Sequence, residues 1–313
     1  MKRILICFLV ILLALSVFSS CADRGGDDGA LLVICTSFPW YDWAREIVGE
    51  SDGVTLRLLA DGGKDMHSYS PSAADMMAIL NCELLVYGGG VSEAWVEDLA
   101  KDGKLRSPLS LMAELGEDVK YVEGHDEHEH SHEEHAHGEA DEHIWLSLKN
   151  AARFCEAIRD ALCRLDAENA ATYTENCESY VAKLLALDGE FEALVSGAKQ
   201  KNVLVADRNP YRYLFGDYGI ICHAAFEGCS TESDAAVSTV IGLSKTLEAL
   251  ELKGILVTET SDGRLARTLV ENTTAKNAEI YVLHALQSVP DPENTTYLAV
   301  MEENLGVLQN LLD

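Results

Sequence analysis

The chain alternates short continuous apolar runs with longer segments in which apolar residues recur every three to four positions. Leu31-Leu32-Val33-Ile34-Cys35 is the first run, and it predicts a strand covered on both faces. A helix is expected from Phe38, through Trp40 and Trp43, to near Gly49. A second strand is expected over 54–60, closed by the turn Asp61-Gly62-Gly63. Ser70-Pro71 opens another helix, whose buried stripe is Met76, Met77 and Leu80. Leu84-Leu85-Val86-Tyr87, followed by three glycines, predicts a third strand. Strands alternating with helices imply a parallel sheet with helices on both faces.

The period then changes. Helices are expected over 151–165 and 167–198. In the second, Tyr173, Cys177, Tyr180, Val181, Leu184, Leu187 and Phe191 keep close to a 3.6-residue spacing. A helix of that length spans about 45 Å, too long for one lobe and suited to a strut. A second alternating half follows, with strands over 203–206, 220–226, 254–258 and 279–283. Helices are expected over 210–218, 233–250, 262–272 and 295–312. The order is lobe, strut, lobe.

The N-terminus falls outside this pattern. Lys2 and Arg3 precede an apolar stretch from Ile4 to Val17 that is short for a membrane span and typical of a signal peptide. Phe18-Ser19-Ser20-Cys21 resembles a bacterial lipobox, with cleavage before Cys21 and lipid on its sulfur. Expected boundaries are a signal peptide at 1–20, a lipidated tether at 21–30, an N-terminal lobe at 31–165, a linking helix at 166–200 and a C-terminal lobe at 201–313. Export to the outer face of a bacterial cell membrane, or to the periplasm, follows.

Composition narrows the function. The formal charge is −28, and it reaches about −30 once Lys2 and Arg3 leave with the leader. That balance argues against nucleic acid and suits a protein that attracts cations. Beyond Cys7 and Cys21 stand Cys35, Cys82, Cys155, Cys163, Cys177, Cys222 and Cys229, an odd set with no Cys-x-x-Cys pair. A disulfide framework is not expected from it. No Gly-rich phosphate loop, His-Glu-x-x-His or Gly-x-Ser-x-Gly motif occurs.

Candidate chemistry lies in the histidines. Seven of the ten fall between 125 and 143, interleaved with Asp and Glu. No helix or strand face explains that spacing, and it points to divalent metal. His125, His128, His130, His132, His135 and His137 read as a loop that collects metal loosely. His143 differs, because Ile144-Trp145-Leu146 anchor it to ordered chain. His67 follows the second strand and His284 follows the last. Ligands of open α/β sheets bind at the carboxyl ends of strands, so His67, His143 and His284 are expected to share one site. His223, inside an apolar strand run, reads as structural.

Asp65-Met66-His67-Ser68-Tyr69-Ser70-Pro71-Ser72 and Asp141-Glu142-His143-Ile144-Trp145-Leu146-Ser147 resemble the first- and second-ligand motifs of the solute-binding proteins of zinc and manganese ABC importers (cluster A-I). Tyr213 through Ile220 is similar to the motif after the third ligand, and Thr296-Tyr297-Leu298 through Asn304-Leu305 to the C-terminal helix. The resemblance implies an α/β fold, two Rossmann-like lobes with parallel sheets joined by one long rigid helix. It also implies a monomeric receptor that is not an enzyme and hands a metal to a membrane permease and its ATPase. The family's third ligand falls at Arg208, which cannot ligate. The fourth is expected at His284. Three histidines suit zinc over manganese. The remaining position is left to water or to Glu259, Glu227 or Asp207, with Arg208 pairing Glu259 or Asp207. Two other readings stay open. The His-rich loop alone would serve a surface metal buffer or an adhesin. Three histidines with an open position would also serve a zinc-dependent hydrolase with Glu259 or Glu227 as base.

Overall fold

The computed structural model describes residues 30–122, 139–227 and 235–312. The leader, Cys21, Cys229 and the histidines from His125 to His137 lie outside the described residues.

Two four-stranded parallel sheets form the frame. The first takes β1 (Leu31–Cys35), β2 (Val54–Leu58), β3 (Leu84–Tyr87) and β4 (Pro108–Ser110) in the order β2-β1-β3-β4. The second takes β7 (Asn202–Asn209), β8 (Ile221–Glu227), β9 (Gly254–Val257) and β10 (Glu279–Val282) in the order β10-β9-β7-β8. Each sheet reverses direction at its first strand: β1 lies between β2 and β3, and β7 between β8 and β9. That switch point is where an open α/β sheet holds its ligand. The apolar runs explain the central strands, since Val33, Ile34, Cys35 and all of β3 and β9 are buried. β4, only three residues long and opening on a proline, gives no periodic signal, and the sequence reading missed it. Between the sheets in the chain, β5 (Tyr121–Val122) and β6 (Glu139–Ala140) pair antiparallel and flank the His-rich segment.

The expected strut is present as one 28-residue helix, α6 (Ala170–Gly197), about 42 Å long at 1.5 Å per residue. Tyr173, Cys177, Tyr180, Leu184, Leu187 and Phe191 form its buried stripe. It packs on α5 (Leu148–Leu165) and on α1 (Phe38–Val48). Between α1 and α5 lie α2 (Ala73–Asn81), α3 (Ala94–Lys101) and α4 (Leu111–Leu115). The second half adds α7 (Arg212–Tyr218), α8 (Val237–Ala249), α9 (Arg264–Asn272) and α10 (Tyr297–Leu312).

α1 begins after Ser37 with Pro39 in its first turn, where a missing N–H costs nothing. It is almost wholly buried, with Trp40, Trp43 and Ile47 fully so. Its burial explains why α10, last in the chain, returns to the first lobe. Asp42 on α1, itself buried, accepts the Tyr297 N–H at 2.7 Å and the Arg45 guanidinium. Arg45 also donates to the carbonyls of Pro292 and Thr295. One continuous core therefore runs from Val33 and Trp43 through α6 to Val205, Tyr297 and Leu308.

Candidate metal centre

His67 sits in a single 3₁₀ turn (Met66–Ser68) after β2. Asp65 starts that turn by accepting the His67 N–H at 2.9 Å. His67 Nδ1 lies 2.9 Å from Ser92 Oγ and 3.4 Å from Glu142 Oε2. His143 follows β6 and repeats the arrangement. Asp141 Oδ1 takes both its N–H, at 2.9 Å, and its Nδ1, at 2.7 Å. His143 is buried, and its ring centroid lies 5.3 Å from that of His67.

The Gly88-Gly89-Gly90 segment after β3 makes room for the supporting carboxylates. Gly90 has φ of 93°, and a Cβ there would stand 2.7 Å from the Glu142 carboxylate. Glu142 in turn takes the Ser92 N–H at 2.6 Å. Burial pushes the Glu142 carboxyl up, but hydrogen bonds from His67 and Ser92 outweigh it and hold it below the usual range. Burial acts likewise on Asp141, and the His143 hydrogen bond and charge reverse it.

The third side chain at the centre is Gln287. Its Nε2 lies 3.1 Å from His67 Nε2 and 2.7 Å from His143 Nε2. The Gln287 amide therefore faces the Nε2 edge of both rings, while the Nδ1 edge of each faces a carboxylate. Two imidazoles thus turn their Nε2 atoms to one point, each backed by a carboxylate, as metal-ligating histidines are.

Gln287 reaches that point from the segment after β10. Leu286 holds φ of 57°, in the left-handed region that a leucine seldom enters. The Glu259 carboxylate makes this conformation tenable. Oε2 accepts the Ala285 N–H at 2.8 Å, and Oε1 accepts those of Gln287 at 2.9 Å and Ser288 at 3.4 Å. The Trp145 indole donates to the Ala285 carbonyl, and Ser288 Oγ to the Gly63 carbonyl. Each bond joins the first lobe to this segment.

His284 does not join the pair. Its Nδ1 accepts the Leu286 N–H at 3.0 Å and lies 3.7 Å from Glu259 Oε1, while Asn304 clamps its backbone N–H and C=O. Its role here is to fold the turn. Glu259 spends its oxygens on the same turn. Asp207 accepts Arg208 N on Oδ1, and Thr258 N and Oγ1 on Oδ2. Glu227 ends β8 in register with Asn209. Arg208 stands near the end of β7 and makes no ion pair with Glu259 or Asp207. His223, as expected, is structural, its Nε2 lying 2.9 Å from Asn202 Oδ1. Among the described residues, no group of three or more His, Cys, Asp or Glu side chains is placed to hold a metal. Among the described residues, the donors seen at the centre are two imidazoles and a neutral amide, where a closed zinc shell has four ligands. Gln287 escaped the sequence reading because glutamine is not a usual metal ligand. Its only signal was its place five residues after the last strand.

Two parallel-sheet lobes, joined by a long helix and meeting at paired imidazoles, form the architecture of a substrate-binding protein. The chain belongs to the family described as ZnuA, zinc-uptake complex component A periplasmic, which matches residues 33–311. That is a family of substrate-binding components, not of enzymes. Among its relatives, the chain is 29% identical over 297 residues to the zinc-binding lipoprotein AdcA of Streptococcus pneumoniae serotype 4, covering 94% of this chain and 58% of AdcA. It is 27% identical over 307 residues to the metal ABC transporter substrate-binding lipoprotein SsaB of Streptococcus sanguinis, covering 95% of this chain and 94% of SsaB. The chain spans little more than half the length of the AdcA proteins it matches. Its fold is similar to the crystal structure of Zn(II)-bound AdcA from Streptococcus pneumoniae. The TM-score is 0.72 at 26% identity, over 91% of this chain and 58% of that one.

Proposed function

We propose that this protein is an extracytoplasmic receptor for a divalent metal, zinc before manganese, anchored by lipid on Cys21. It delivers the ion to an ABC permease and its ATPase. His67 and His143 are the protein's metal ligands, and the loop of His125 to His137 gathers ions near them. The observation that carries this reading is the convergence of two carboxylate-backed imidazoles, through their Nε2 atoms, on Gln287. The family and the zinc-binding relatives support it.

Competitive titration of the apo protein with zinc and manganese tests it. His67→Ala with His143→Ala should abolish the primary site, while deletion of 125–139 should leave it. The opposite result makes the protein a buffer that works through its loop.

A further inference from the structure

The segment that carries His143 is held at both ends by α7 of the second lobe. At its start, Arg212 Nε lies 3.4 Å from Asp141 Oδ2. At its end, Ser147 Oγ donates to Asp217 Oδ2 at 2.5 Å. Arg212 opens α7, and Asp217 stands in its last turn. The strand pair before the segment leans on the same helix. The Tyr213 hydroxyl accepts the Lys120 N–H at 2.8 Å, and the Lys120 carbonyl accepts the Asp141 N–H at 2.8 Å.

The two oxygens of Asp141 face opposite lobes. Oδ1 takes the N–H and the Nδ1 of His143, and Oδ2 faces Arg212. Asp141 is buried, where a carboxylate needs a charged partner as well as hydrogen bonds. A carboxylate gripped on one oxygen alone can swing about its Cβ–Cγ bond. Gripped on both, it presents each oxygen in a fixed direction. The partner at Nδ1 sets the orientation of a ligating imidazole, so a swing of Asp141 would carry the His143 ring with it.

We infer, resting on the receptor reading above, that Arg212 is a positioning residue of the metal centre. It acts from the second lobe through Asp141 and holds the His143 ring in the direction from which it ligates. Metal affinity thus depends on α7 staying docked at Asp141.

Zinc titration of the full chain against a competing chelator tests this. Arg212→Gln should weaken zinc binding about tenfold, the low end of the range for partners of ligating histidines. Arg212→Lys, which keeps the charge but not the fork, should recover part of that loss. Arg212→Gln combined with Asp141→Asn should bind zinc no more weakly than Asp141→Asn alone, whereas independent effects would multiply. Tyr213→Phe removes a different bond between α7 and the strand pair, and it should bind zinc as the parent does. Melting curves check that each variant folds. If Arg212→Gln does not fold, Arg212→Lys and its combination with Asp141→Asn are read in the same way. The inference fails, and the receptor reading stands, if Arg212→Gln binds zinc like the parent or Arg212→Lys recovers nothing. It fails equally if the two losses multiply, or if Tyr213→Phe costs as much as Arg212→Gln. If the parent binds no zinc, or binds it unchanged after His67→Ala with His143→Ala, the receptor reading fails as well.

Discussion

Gln287 Nε2 stands 2.7 Å from His143 Nε2, although 144 residues separate the two in the chain. The amide occupies the point that both imidazole Nε2 atoms face. Any ion bound by those nitrogens must displace the amide nitrogen or take the amide oxygen in its place.

Gln287→Glu therefore adds an anionic oxygen donor beside the two imidazoles. Zinc affinity should rise by roughly ten- to hundredfold, the range over which partners of metal sites act. Isothermal titration against a competing chelator measures it. An unchanged affinity would show that Gln287 stays outside the bound shell.

Gly90→Ala acts one contact further away. Its Cβ would meet the Glu142 carboxylate at 2.7 Å, in a backbone conformation that alanine resists. Glu142 should move off His67, and zinc affinity should fall about tenfold. The melting temperature should drop by only a few degrees, as expected for strain of about 1–2 kcal/mol. Paired titration and melting curves separate local from global effects.

Glu93 makes stability depend on pH. Burial pushes its carboxyl up to about 7 despite hydrogen bonds from Thr36, Gly89 and Gly88, and the nearby Glu142 charge adds to the rise. The unfolded chain loses this proton near the ordinary value of 4.5 and the folded protein near 7. Between those values the folded state holds more protons, so the Glu93 contribution to stability falls as pH rises, and above 7 the full cost remains. Glu93→Gln keeps the hydrogen-bonding shape and abolishes the charge. The variant should melt higher than the parent at pH 8, and the gap should close towards pH 4.5. A gap that stays constant across that range would count against this account.

Asp42→Ala removes the carboxylate that joins α1 to the start of α10. It strands the Tyr297 N–H and leaves Arg45 with the Pro292 and Thr295 carbonyls and the Tyr41 ring. Breaking a buried charge pair in this way costs about 3–5 kcal/mol. Urea unfolding should show that loss. An effect below about 1 kcal/mol would mean that the return of α10 rests on apolar packing instead.

Much of the frame is legible in the sequence. Seven of the eight strands of the two sheets, and the long helix, follow from apolar runs and spacing, because these record burial within a few residues of chain. β4 escapes because three residues carry no period. His67 and His143 are legible too, since each lies in a short motif whose neighbours, Asp65 and Asp141, fold the turn that presents it. The third member of the centre was not legible. Sequence points to His284, a better ligand by type, but the structure turns His284 to its own loop and presents Gln287. That choice depends on Glu259, 28 residues away, whose carboxylate gathers three N–H groups and holds Leu286 in the left-handed region. Local pattern determines which segments are strands and helices. Which side chain reaches the meeting point of two lobes depends on a backbone turn stabilised by distant partners, and only the tertiary structure brings those together.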